Sequence, residues 1–145
     1  MITLSVDGII ARIETLKEAG VVNDVGGLGN IQAAPENTIV TDSVFVLPPT
    51  KAGGPNITGT TRVNQKVTTL VGVAIVFLNI GAGAEMTSHI QTTCDAVEDL
   101  LLGWVPGSGL SPFTLASARP EEINTAKGYL IYSFIFETSY HARKP

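Results

Sequence analysis

Residues 62–80 read RVNQKVTTLVGVAIVFLNI. Val63, Val67, Val71, Val73, Ile75 and Phe77 share one parity, and a strand sends alternate side chains to opposite faces, so these six mark a buried face. The other parity starts polar with Asn64, Lys66 and Thr68, then turns apolar at Leu70, Ala74, Val76 and Leu78. The stretch is predicted as a long strand, solvated on one face early and buried on both faces later. Lys66 and Gly72 are the places where a bend or bulge would separate the two parts.

Working outward, Val6, Ile9, Ile10, Ile13 and Leu16 recur at helical spacing, with Arg12, Glu14, Lys17 and Glu18 mostly opposite. Ser5 suits the N-cap, Asp7 the positive end of the helix dipole, and Gly20 the stop. Residues 21–25 read as a short strand, residues 26–30 as a turn, and Ser43-Val44-Phe45-Val46-Leu47 as an apolar strand closed by Pro48-Pro49. Residues 48–61 are expected to form a long loop. After Gly81-Ala82-Gly83, a helix is predicted over 85–102, with Met86, Ile90, Cys94, Val97, Leu101 and Trp104 as its apolar stripe. Gln91, Asp95, Glu98 and Asp99 face outward, and Gly103 and Pro106 end the helix. Residues 113–118 are a short strand with Pro112 at its edge, and 119–126 a polar turn. Leu130, Tyr132, Phe134, Phe136 and Tyr140 then alternate along a last strand from 129 to 140; residues 137–145 form a C-terminal arm whose basic tail, 141–145, is mobile unless a partner holds it. Sequential strands with only two helices predict a single α+β domain over 1–145. Its sheet should be mainly antiparallel and pack against the two helices.

Composition narrows the function. The 145 residues are only 15% charged, against roughly 25% in an average soluble protein, and mean hydropathy is +0.28. The surface must then be finished largely with Thr, Ser, Asn and Gly, which favours a chain partly covered by other subunits. The net charge of −4 gives no general basic footprint for nucleic acid. The N-terminal stretch has no basic n-region or apolar h-region, so no secretory signal is expected. The longest apolar run, residues 70–78, is nine residues, whereas a spanning helix needs about 20. A soluble chain made in a cytoplasm, without membrane contact, is therefore expected.

Reactive chemistry is sparse. Gly81 and Gly83 sit between a strand and a helix, as in a dinucleotide fold, but the third small residue of that fingerprint is replaced by Met86. Gly26-Gly27-Leu28-Gly29 is followed by no helical pattern. His89 and His141 are the two histidines, with no Cys-x-x-Cys or clustered carboxylates beside them, so no metal site is expected. Cys94, the single cysteine, excludes an intramolecular disulfide and falls on the apolar stripe, away from any basic residue that would activate it. Gly107-Ser108-Gly109 lacks the strand–elbow–helix setting of a hydrolase serine. Glu121-Glu122 reads as a solvated turn. Asn56-Ile57-Thr58 matches a glycosylation sequon that has no meaning without secretion. No catalytic residue, metal or cofactor is expected.

The series Val44-Phe45-Val46-Leu47-Pro48, Val63-Asn64-Gln65-Lys66-Val67, Trp104 to Pro106, and Tyr129-Leu130-Ile131-Tyr132-Ser133-Phe134-Ile135-Phe136-Glu137-Thr138 resembles the tail terminator (tail completion) proteins of long-tailed bacteriophages and related prophage elements. The resemblance spans most of the chain and rests on hydrophobic patterns. It implies a non-enzymatic α+β virion protein assembled in the host cytoplasm. Such a protein forms a ring, usually of six copies, on the head-proximal end of the tail tube, where it stops tube polymerisation and presents a surface for head-completion (neck) proteins. Its implied partners are copies of itself, the tail tube protein, the head-completion protein and, in contractile tails, the sheath. Ring contacts suit sheet edges and extended arms. The candidate subunit or tube interface residues are accordingly Pro49, Lys51, Asn56 and Arg62 in or beside the long loop, and Tyr140, Arg143 and Lys144 in the C-terminal arm. A head–tail joining or tail-tube protein is the alternative in the same particle. A small nucleotide- or ligand-binding domain built on Gly81 and Gly83 is the more distant one.

Overall fold

Ser5 accepts a hydrogen bond from the Gly8 amide at 3.2 Å, satisfying one of the unpaired donors that open helix α1, Val6–Glu18. At the other end Gly20 takes a φ of +78°, which glycine adopts without a Cβ clash. Its amide and that of Val21 reach back to the Lys17 and Leu16 carbonyls, closing the helix. The computed structural model describes residues 4–22, 24–26, 42–58, 61–78 and 84–144. Gly27 to Asn30, Gly81 and Gly83 lie outside them.

After α1 the described elements are β1 (Asp24–Gly26), β2 (Ser43–Val46), β3 (Thr50–Gly53), β4 (Val63–Leu78), helix α2 (Ala84–Leu101), β5 (Thr114–Asn124) and β6 (Tyr129–Lys144). They build one six-stranded sheet in the order β1-β2-β4-β6-β5, with β3 pairing β4 beyond the end of β2. Only the β1–β2 pair is parallel. This is the single α+β domain, with a mostly antiparallel sheet and two helices, that the sequence predicts.

The β4–β6 ladder is the spine. It runs without interruption from Val63↔Lys144 to Leu78↔Tyr129, so neither Lys66 nor Gly72 marks a bulge. Gly72 serves close approach instead: a Cβ there would meet Leu47 Cδ1 at 3.0 Å, where the chain crosses from β2 to β3 and the Leu47 amide donates to the Gly72 carbonyl.

Register decides the core. Val71, Val73, Ile75 and Phe77 stand opposite Phe136, Phe134, Tyr132 and Leu130 on one face. There they pack with Ile9 and Ile13 of α1 and Val97 and Leu101 of α2. Phe134 and Phe136 stack at 5.9 Å between ring centres, and Phe113 lies 5.7 Å from Phe136. Fully burying each such side chain is worth about 1.5–3 kcal/mol. Met86, Ile90, Cys94 and Trp104 extend the α2 stripe as half-buried neighbours of that core. On the opposite face Phe45 and Val76 are buried in a smaller cluster with Leu78 and Ile131. The strand is thus buried on both faces late, as its two parities predict.

Three further expectations change. Residues 48–61 are not all loop, because Thr50–Gly53 pair with Val67–Leu70. Residues 119–126 are not simply a turn, because β5 continues to Asn124 with irregularities at Leu115/Ser117 and Pro120/Glu122. An edge strand needs no apolar face on both sides and tolerates Pro120, whose missing N–H costs no ladder bond when it points outward. Finally, the C-terminal arm as far as Lys144 is the second half of β6, paired to β4 throughout.

Candidate assembly surface

The helices cover the half of the β4–β6 ladder around Val71 to Phe77, and the ladder then runs on. From Val67↔Tyr140 to Val63↔Lys144 it is a ribbon that β5 no longer borders, since β5 pairs β6 only as far as Glu137. The edge is closed off just past that point. The Ser111 amide donates to the Ser139 carbonyl at 2.9 Å, the Ser139 amide to Ser111 Oγ at 3.0 Å, and Thr138 Oγ1 to the Ser111 carbonyl at 2.5 Å.

The opposite edge is held by the segment after β2. The Gly54 amide donates to the Lys66 carbonyl at 2.7 Å and the Ile57 amide to the Asn64 carbonyl at 3.0 Å. Asn56 is the hub of this turn. Its Nδ2 donates to the Arg62 carbonyl at 2.9 Å, and its Oδ1 accepts from the Asn64 amide at 3.0 Å and Thr58 Oγ1 at 3.1 Å. The Ile57 side chain is left 70% exposed beside it.

The candidate interface residues therefore converge from two distant parts of the chain. Lys51 Nζ donates to the Tyr140 hydroxyl at 3.2 Å and lies 5.2 Å from that ring's centre. Arg143 stands opposite Asn64 and Lys144 opposite Val63, both exposed, with exposed Arg62 immediately before β4. Pro49 is half-buried at the crossing from β2 to β3, and Asn56 spends its side chain inside the turn.

Two residues that the sequence reading passed over belong here. Lys66 and His141 face each other across the ladder, on the sheet face away from the helices, together with Arg143. The signal was in the charge pattern. No Asp or Glu occurs from Ser43 to Leu78 or after Glu137, yet those two stretches hold five of the nine Lys and Arg: Lys51, Arg62, Lys66, Arg143 and Lys144. Toward the middle of that same face, Leu47, Pro48, Leu70, Gly72, Ser133 and Ile135 line an open cavity of about 390 Å³.

Elsewhere the titratable groups hold the fold together. His89 Nε2 meets Asp42 Oδ2 at 2.5 Å, while Asp42 Oδ1 accepts from the Leu78 amide at 3.1 Å, tying α2 to the end of β4. The Cys94 thiol is pushed up to about 12, first by burial and then by the Asp95 and Glu98 carboxylates, so it is a poor nucleophile. Among the described residues no group of three His, Cys, Asp or Glu side chains is placed to hold a metal ion. Among those residues, too, no helix is long and apolar enough to cross a membrane.

No curated protein matches the sequence. Among solved structures, a chain from the virion of a native gene transfer agent particle superposes with a TM-score of 0.57 at 15% identity, covering 92% of this chain and 84% of its own. That likeness is one of fold. The family model for phage tail terminator proteins matches residues 2–145, and the chain belongs to that family of structural proteins of the bacteriophage virion tail.

Proposed function

We propose that the chain forms a ring that caps the head-proximal end of the tail tube, stops tube growth and offers the attachment surface for head-completion proteins. The observation that carries this reading is the family match over nearly the whole chain, joined to a sheet that extends as a basic ribbon beyond its own helices. A ring needs a heterologous contact between two different patches of one chain, closed by rotation. The ribbon, formed by β4, β6 and the segment bearing Lys51 and Asn56, is one such patch. Pro49, Lys51, Arg62, Tyr140, Arg143 and Lys144 contact a neighbouring copy or the tube, and Asn56 shapes the turn that presents them. The role is structural and requires no catalysis. The family's ring is usually of six copies, and the same count is proposed here.

Light scattering on the purified chain, followed by electron microscopy after mixing with tail tubes, tests the proposal. One ring per tube end and a fixed tube length support it. Indefinite filaments of the chain alone would move the assignment to a tail-tube protein, and a chain that never binds tube ends would overturn it.

A further inference from the structure

Charge is segregated in this fold. The described outer ribbon of β4 and β6 carries Lys66, His141, Arg143 and Lys144, with no carboxylate between Val63 and Val67 or after Glu137. The helices carry the reverse. Glu14 and Glu18 lie one turn apart on α1, Asp95 and Asp99 one turn apart on α2, and all four are exposed. The two helical cations are already engaged: Arg12 Nε donates to the Leu100 carbonyl and lies over Trp104, and Lys17 sits 3.9 Å from Asp24.

The acidic face is also uncompensated where compensation matters most. A helix C-terminus bears the negative end of the dipole and favours Lys or Arg in its last turn. The last turn of α2 has none, and Glu98 and Asp99 stand there instead. That arrangement disfavours the isolated subunit and is relieved by cations brought from outside.

We propose that the basic ribbon of one copy docks on the acidic outer face of α1 and α2 of the next, Lys66 and Arg143 meeting Asp95, Glu98 and Asp99. The proposal rests on the ring reading and supplies its contact. The occupant is a second copy because each chain carries both halves, so one repeated contact satisfies the cations and the carboxylates together. A polyanion such as DNA would satisfy only the ribbon and would meet a chain of net charge −4.

The test uses the full chain in four forms: wild type, Lys66→Glu with Arg143→Glu, Asp95→Lys with Asp99→Lys, and the four changes combined. All substituted positions are exposed, and circular dichroism checks that each form folds. Assembly is read by light scattering and by occupancy of tube ends. Each reversed pair is expected to raise the concentration needed for assembly by tenfold or more, because like charges then face each other. The combined form, and an equimolar mixture of the two reversed pairs, are expected to restore it. Wild-type rings that are indifferent to all four changes would overturn this contact and leave the ring reading standing. A wild type that never assembles would overturn both. Wild type that binds labelled duplex DNA, with binding lost in the ribbon variant and assembly unchanged, would overturn the contact in favour of a nucleic-acid surface.

Discussion

Lys51 and Tyr140, 89 residues apart, meet at 3.2 Å between Nζ and the phenolic oxygen, with the ammonium also 5.2 Å from the ring centre. The contact joins β3 to the outer part of β6 across β4, because Thr69 pairs with Lys51 on one side while Val67 pairs with Tyr140 on the other. It braces the ribbon where the helices no longer support the sheet. Being exposed, the polar contact contributes little energy, and the ring's packing against the edge of the core contributes more.

Tyr140→Phe keeps the ring and loses the hydroxyl, so stability in urea titration is expected to fall by less than about 1 kcal/mol. Tyr140→Ala also removes the ring from the edge of the core and is expected to cost more, about 1–3 kcal/mol.

The core carries the stability. Phe136 is fully buried between Phe113, Phe134 and the β4 valines, and Phe136→Ala is expected to cost about 3–5 kcal/mol in the same titration. Ser5→Ala removes only the cap of α1 and is expected to cost about 1 kcal/mol.

Much of this was written in the sequence, for identifiable reasons. Ser5, Gly20 and Gly103 act through local backbone chemistry, and the β4 and β6 alternations report a face buried by helices. The other elements take their structure from partners. Thr50-Lys51-Ala52-Gly53 has no strand signal and is a strand because Val67 to Leu70 offer it an edge. Arg119 to Asn124 looks like a turn because it is a solvated edge, with Arg119 and Glu121 paired at 2.9 Å outside the ladder. Lys51, Arg62, Tyr140, Arg143 and Lys144 were legible as candidates one by one. That they share a ribbon follows only from the β4–β6 register, which also adds Lys66 and His141 and turns Asn56 inward.

Asn56→Ala removes the acceptor for the Asn64 amide and the donor to the Arg62 carbonyl. Amide hydrogen exchange at Asn64 is expected to quicken markedly, while amides of Val71 to Phe77 stay as protected as in the wild type. Equal loss of protection across all of β4 would contradict the local role given to this turn.

Cys94 sets a sign for the alkaline limb. Its folded thiol is held near 12 by burial, then by Asp95 and Glu98, against an ordinary value of 9.0. Between these values the unfolded chain releases the proton while the folded chain keeps it. The unfolded state therefore binds fewer protons, and stability falls as pH rises through that window. Tyr132, raised mainly by burial, and Tyr129, raised mainly by its hydrogen bond to Glu122, act in the same direction. Cys94→Ala is expected to make the decline between about pH 9 and pH 11 shallower in urea titrations. In the wild type at pH 8, labelling by a thiol reagent is expected to run roughly a hundredfold or more slower than for a free thiol.

The capping role meets its most direct trial at the tube itself. Purified chain is added to growing tail tubes, and the ends are imaged by electron microscopy. A single added ring on one end of each tube, with elongation halted there, is the expected picture. Tubes that lengthen past the added protein, or ends that stay bare at saturating concentration, would contradict it.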